Sequence, residues 1–403
     1  MNSQAVSETP RFRALDGLRG VAAILVVLLH VEWRNHITGT RFIENGYLAV
    51  DLFFIISGLV IATNYAKRII DIPTSLRFIG LRFFRLYPLH IVMLGVFIGL
   101  ECCKLAAENT VGITPEHQPF SGGMSYRSLI ANIFLVHGLG WLRQSGWNNP
   151  SWSISCEFFA YLAFAIATLL GLIQNRLFLF CGVVFTVVAY VGIALIRGTL
   201  NVTLDLGVVR CFAGFFWGTV LAGCPNFLRL RSSQHAARVD VFITAAVLFS
   251  MATLSGPMVA IVIPLFVLLI ASLEAERGPI AHLLSSKPMQ CLGRISYSIY
   301  MVHECVVVCV LMVLKRVGRM SFDSNIGRIV AAINPWLGDL LTLALLTAVV
   351  LFASLTYRLI EEPGRMLGRR LLRSGIPSHH AEALAAQERA GRQVPSEFCQ
   401  GQL

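Results

Sequence analysis

Arg19 and His30 lie eleven residues apart in the stretch RALDGLRGVAAILVVLLH, residues 13–30. On an α-helix, eleven residues rise roughly 16 Å and complete three turns plus about 20°. The two side chains then share a face, with Arg19 expected near a membrane surface and His30 well inside the hydrocarbon. An imidazole titrates near neutrality and can act as a general base. A guanidinium on the same face suits a negatively charged ligand. The plainer alternative is a histidine bonded to a neighbouring helix and an arginine that anchors the helix end.

Four further groupings carry chemistry. Arg82 and Arg85 stand at i, i+3 and share a side if helical; paired guanidinium forks match phosphate or carboxylate. Asp51 opens a second apolar run at the depth assigned to His30, where it could orient the imidazole or serve as a helix N-terminal carboxylate. Ser153 and Glu157 fall at i, i+4 inside another run, and a carboxylate there needs a partner. Ser296, Tyr300 and His303 make one polar stripe at i, i+4, i+7; they could line a substrate path or bond helix to helix. Gly58 reads as a close helix crossing, and Tyr357 to Pro363 as the cap of a last span.

These residues sit in a chain built for lipid. Of 403 residues, 56% are hydrophobic and 14% charged, against about 25% charged in soluble domains; mean hydropathy is +0.69. The expected fold class is all-α: a polytopic integral membrane helix bundle of about ten transmembrane helices. Spans are expected near 19–35, 47–66, 88–105, 152–173, 178–196, 205–223, 239–254, 257–273, 291–314 and 337–359. Residues 128–142 are apolar but shorter than the ~20 needed to cross and are expected as a re-entrant or interfacial segment. Residues 1–10 form a polar N-terminus, 11–365 the membrane domain, and 366–403 a basic, then polar, mobile tail.

Orientation follows from basic residues, which favour the cytoplasm. With both termini cytoplasmic, the expected 67–85 loop, Arg229, Arg231, Arg238 and the Arg365–Arg373 cluster all fall inside. Lys315, Arg316 and Arg319 disagree and can snorkel. The net charge of +11 fits basic loops; no nucleic-acid module is visible. The first apolar run ends in His30 and Glu32 without a small-residue cleavage pattern, so it is expected to be retained. The ten cysteines form no C-x-x-C unit and read as small apolar residues. No phosphate-binding glycine loop, serine-hydrolase elbow or H-E-x-x-H zinc helix occurs, so no metal and no permanently bound cofactor is expected.

Taken in order, the motifs resemble the bacterial membrane acyltransferase family 3. They are Leu15-Asp16-Gly17-Leu18-Arg19-Gly20 with His30; Asp51 to Gly58; Arg82-x-x-Arg85-Leu-Tyr-Pro; Trp152-Ser153-Ile154-Ser155-x-Glu157; Tyr297-Ser298-Ile299-Tyr300-x-x-His303; and Glu362-Pro363. The resemblance spans residues 11–365. It implies a multipass inner-membrane O-acyltransferase that moves an acyl group, usually acetyl from acetyl-CoA, to a hydroxyl of a glycan. Such glycans include O-antigen, exopolysaccharide, peptidoglycan or a lipochitooligosaccharide Nod factor. It implies catalytic roles for His30, Asp51 and Glu157, and donor binding by Arg19, Arg82 and Arg85. Ser153, Tyr300 and His303 are expected along the substrate path. Some relatives carry an extracytoplasmic esterase-like domain; here about 40 residues follow the last span, so transfer would be completed alone or by a separate extracytoplasmic partner. The rival readings are a transporter or flippase for a glycan or lipid-linked glycan, whose proton relay would use the same intramembrane groups, and a lipid-sensing regulator without chemistry.

Overall fold

Long apolar runs leave the backbone no partner in lipid except itself, so they close into helices. In the computed structural model, which describes residues 12–111, 118–142, 144, 146–225, 227–228, 232–317, 320–323, 328–331 and 333–372, the order is as follows. The helices are α1 (Arg13–Leu29), α2 (Arg41–Glu44), α3 (Ala49–Tyr65), α4 (Ile72–Val111), α5 (Tyr126–Ile133), α6 (Trp152–Leu169) and α7 (Arg176–Arg197). Then come α8 (Gly207–Ala222), α9 (Ser233–Thr253), α10 (Val262–Glu274), α11 (Pro279–Leu284), α12 (Lys287–Arg316), α13 (Pro335–Thr356) and α14 (Glu362–Leu371). A short antiparallel pair, β1 (Met320–Asp323) and β2 (Arg328–Ala331), links α12 to α13, with Met320 opposite Ala331. That ladder is the departure from an all-helical chain.

Eight helical stretches are long and apolar enough to cross a membrane. Helices α1 and α8, at 17 and 16 residues, fall short of that length and pack against α12 and α3; the expectation was about ten spans, and eight such stretches occur among the described residues. Helices α7 and α9 expose Phe180, Val188, Ile196, Phe242 and Phe249, surfaces that suit lipid rather than water.

Two crossings hold the centre. Helix α3 lies along α8, and α1 along α12. At the first, a Cβ on Gly58 would strike the Phe215 carbonyl oxygen, and one on Gly218 would strike that of Ile55. Gly214 and Gly218 form a small-x-x-x-small face that lets the backbones touch. At the second, Gly17 and Gly20 meet the backbones of Leu284 and Gly293. The start of α1 is tied down as well: the Arg13 and Ala14 amides donate to Glu276 Oε1 at 2.5 and 3.3 Å, satisfying two of the free N–H groups of a helix end.

Three expectations are corrected. The first span was expected at 19–35, but α1 begins at Arg13 and ends at Leu29. His30 is the residue after the helix, its amide bonded back to Val27 O at 3.1 Å, and Arg19 lies in the second turn. Glycines 17 and 20 cause the shift, because the close approach to α11 and α12 recruits the polar lead into the helix. Second, the basic stretch 67–85 is not a loop beyond residue 71: α4 starts at Ile72 and runs 40 residues through Pro88. Pro88 offers no N–H to the Phe84 carbonyl, and Gly364 of α14 packs against both residues there. Third, Tyr357–Glu361 forms a π-turn rather than a plain cap. Within 128–142, α5 ends at Ile133 after eight residues, about 12 Å of helix. Residues 1–10 and the tail after Leu372 lie outside the described residues.

Candidate active site

Two cavities open on opposite stretches of α1. The first, about 620 Å³ of empty space with its open mouth, is lined by Arg19 of α1, Ser57 of α3, Arg85 of α4, Ser153 and Glu157 of α6, and Ser296 of α12, among apolar neighbours. The second, about 860 Å³, is lined by His30, Glu32, Tyr47, Asn149, Trp152 and Arg210, with others. Val50 and Tyr300 line both, so they form the partition. We refer to the arginine chamber and the histidine chamber.

In the arginine chamber, Arg19 and Arg85 are charge neighbours, and each also feels Asp16 and Glu157. Glu157 Oε1 accepts from Ser57 Oγ at 2.6 Å and from the Tyr161 hydroxyl at 2.5 Å. Its carboxylate is therefore held by α3 and by the next turn of its own helix. Two guanidinium groups beside an open volume have the chemistry to hold an anion. The π-turn adds Glu361, buried and bonded by Ser298 Oγ at 2.7 Å, which also senses Arg85 and Arg19.

At the partition, the Tyr300 hydroxyl donates to Pro150 O at 3.0 Å and lies 2.9 Å from Ser153 Oγ, which shares that carbonyl. In the histidine chamber, His30 Nδ1 lies 2.8 Å from Val26 O. A carbonyl only accepts, so Nδ1 carries the proton, and in the neutral form of the ring Nε2 is the nitrogen that can serve as a general base. His303, fully buried, makes the matching bond from Nδ1 to Tyr300 O at 2.7 Å. The two rings meet edge to face, centroids 4.9 Å apart.

Some site residues are not where the sequence reading put them. Asp51 does not orient His30. It is fully buried and forms a two-pronged pair with Arg210: Nε to Oδ1 at 2.7 Å and Nη2 to Oδ2 at 2.5 Å, with the Tyr190 hydroxyl on Oδ1 at 3.1 Å. Arg210 also donates from Nη2 to Tyr47 O and from Nη1 to Val202 O. A guanidinium fork is the better match for a buried carboxylate, and α3 and α8 are pressed together at that level. Glu157 likewise sits with the arginines, not with His30. Arg82 turns from the chamber: Nη2 donates to the Tyr65 hydroxyl at 2.8 Å and the guanidinium lies over the Tyr65 ring. Residues at i, i+3 differ by about 60° around a helix, enough to send Arg82 to Tyr65 and Arg85 to the cavity.

Four contributors were not foreseen: Arg210, Tyr190, Tyr161 and Glu361. Tyr161 was legible, at i+4 from Glu157. Arg210 was half legible, as an arginine inside an apolar run, but its partner is 159 residues away. A further pair lies between α4 and the 134–148 segment. His90 and His137 stack with centroids 5.6 Å apart and planes 3° from parallel; burial pushes the His137 imidazole down to about 3, so that ring is neutral.

Long apolar helices packed around two polar-lined cavities suit a protein that sits in a membrane. A family model described as an acyltransferase domain matches residues 12–358; the chain belongs to this acyltransferase family and is an acyl-transferring enzyme. Acyltransferase MdmB of Streptomyces mycarofaciens is 27% identical over 391 residues, 89% of this chain and 93% of that protein. Protein 2 in the picA locus of Rhizobium radiobacter is 32% identical over 166 residues, 40% of this chain and 85% of that protein. A Staphylococcus aureus (strain COL) relative with an O-acetyltransferase name is 25% identical over 391 residues, 89% of this chain and 58% of that protein. No solved structure matches.

Proposed function

We propose that this enzyme moves an acyl group, acetyl in the simplest case, from acyl-CoA to a hydroxyl of a glycan, such as O-antigen, exopolysaccharide or a Nod factor. The observation that carries it is the division of α1: Arg19 opens into one chamber and His30 into another, with Tyr300 and Val50 between. Arg19 and Arg85 hold the phosphates of the donor. The roughly 16 Å between Arg19 and His30 is comparable to an extended pantetheine arm, so the thioester reaches past the partition. His30 Nε2 takes the proton of the acceptor hydroxyl; the alkoxide oxygen attacks the thioester carbonyl, and coenzyme A leaves as thiolate. Ser153, Tyr300 and His303 shape the passage. The family decides for acyl transfer over the transporter reading. The protein sits in the inner membrane with both termini cytoplasmic, and acts alone or with a separate extracytoplasmic acyl-transfer partner.

The test uses membranes containing the full chain, labelled acetyl-CoA and glycan acceptor. His30→Ala is expected to lower transfer at least a hundredfold, the scale of general-base catalysis, with normal insertion. Normal product from that variant overturns the assignment. Arg85→Ala is expected to raise the KM for donor and leave that for acceptor; an unchanged donor KM removes the phosphate role.

A further inference from the structure

The segment that leaves His30 carries a second polar cluster, on the surface. Trp33 anchors the segment: its buried indole donates from Nε1 to Gly338 O at 3.1 Å and to Thr342 Oγ1 at 3.0 Å. A Cβ on Gly338 would strike the Arg34 carbonyl oxygen, so the segment lies directly on the start of α13. Asn35 then turns it, its Oδ1 accepting from the Ile37 and Thr38 amides at 2.8 Å each. The turn delivers His36 to Asp339, whose carboxylate grips it twice. The His36 amide donates to Oδ1 at 2.9 Å and Nδ1 to Oδ2 at 2.6 Å. Trp336 closes the group, its ring centroid 4.6 Å from that of His36. None of the three lines either chamber.

What the cluster leaves open defines a ligand. Trp336 is 75% exposed and the His36 side chain 52%. A carboxylate only accepts, so His36 Nδ1 carries the proton and, in the neutral ring, Nε2 accepts. Each Asp339 oxygen keeps a second lone pair, and that side chain is partly exposed. The open groups are one flat apolar face and hydrogen-bond acceptors at its edge. A pyranose complements both: its C–H bonds give an apolar face to stack on an indole, most fully when the hydroxyls are equatorial as in glucose, and its hydroxyls donate. An acidic sugar would face the Asp339 carboxylate instead. Tryptophans also gather at membrane interfaces, but that role asks for no carboxylate-clamped histidine beside the ring. Six residues separate His36 from His30, about 20 Å at full stretch, within the reach of a short oligosaccharide. We propose that Trp336, His36 and Asp339 form an outer sugar-stacking subsite. It holds an uncharged, gluco-configured unit of the acceptor glycan while another unit enters the histidine chamber. This rests on the glycan-acceptor reading and adds a place where the acceptor docks.

The experiment is equilibrium binding, without donor, to the purified full chain in lipid nanodiscs. The probes are radiolabelled cellotetraose, a β-1,4-linked glucose tetramer, and radiolabelled glucose. The tetramer is expected to bind at least tenfold tighter. Trp336→Ala is expected to remove that advantage, Trp336→Phe to recover most of it by keeping a flat ring, and Asp339→Asn to cut it several-fold. Bound tetramer is also expected to shield Trp336 from acrylamide quenching, read as the difference between the unsubstituted chain and Trp336→Phe. A tetramer that binds no tighter than glucose overturns the proposal. So does an advantage that survives Trp336→Ala, a loss that Trp336→Phe does not recover, or quenching unchanged by the tetramer. Acyl transfer to the same tetramer is scored separately. Trp336-dependent binding without acylated product supports this inference and sinks the transfer reading; transfer with binding indifferent to Trp336 does the reverse.

Discussion

At the residue scale, the decisive change concerns Asp51. A carboxylate placed near a histidine invites a catalytic reading, yet its oxygens are taken by Arg210 and Tyr190. Removing one partner of a buried pair leaves the other charge unpaired, at a cost of about 3–5 kcal/mol, whereas replacing both with apolar groups is often near neutral. We expect Asp51→Ala and Arg210→Ala each to lower the melting temperature of the detergent-solubilised protein markedly. Asp51→Leu combined with Arg210→Met should recover most of that loss. A double variant no more stable than the singles would refute the structural role.

At the element scale, position depends on small residues more than on apolar ones. Gly58 and Gly218 let α3 and α8 touch backbone to backbone, and that contact delivers Asp51 to Arg210 and Ser57 toward Glu157. Gly218→Val would drive its side chain into the Ile55 carbonyl. Overpacking of this kind costs typically about 1–3 kcal/mol, and here it separates two helices that carry site residues. Reduced folded yield and a lower melting temperature are expected, with a smaller loss for Gly218→Ala; wild-type behaviour of the valine variant would show the crossing to be slack. Gly58 could be read as a close crossing from sequence, since a glycine in an apolar run has few other uses there. Which helix it crosses could not.

At the scale of the whole molecule, the two chambers separate Arg19 and Arg85 at one level from His30 and Glu32 at another. If donor enters from the cytoplasm, the arginine chamber opens inward and Glu32 lies on the far side. Cysteines introduced at Arg370 and at Ile37, both exposed, provide a check in intact cells. A thiol reagent that cannot cross the membrane should label the Ile37→Cys site and spare the Arg370→Cys site, scored against the unsubstituted chain to allow for its own exposed cysteines. The reverse pattern would invert the orientation.

Much of this protein was legible in its residues alone. Hydrophobic runs and the paucity of charge dictate a bundle of membrane-length helices, because in lipid a backbone can satisfy itself within a helix. The spacing of Arg19 and His30 sets the approximate rise between them, because helix geometry is local. The i, i+4 relation of Glu157 and Tyr161 belongs to the same class. Tertiary structure alone decided which charge meets which. Asp51 finds Arg210, Glu157 finds Ser57, and Arg82 parts from Arg85, because helices far apart in sequence are brought together by packing that no local period encodes. The first helix also starts six residues earlier than its hydropathy suggests, since Gly17 and Gly20 gain their value from a neighbour 270 residues away. His30 therefore ends the helix instead of lying within it, and that position opens its ring to a chamber.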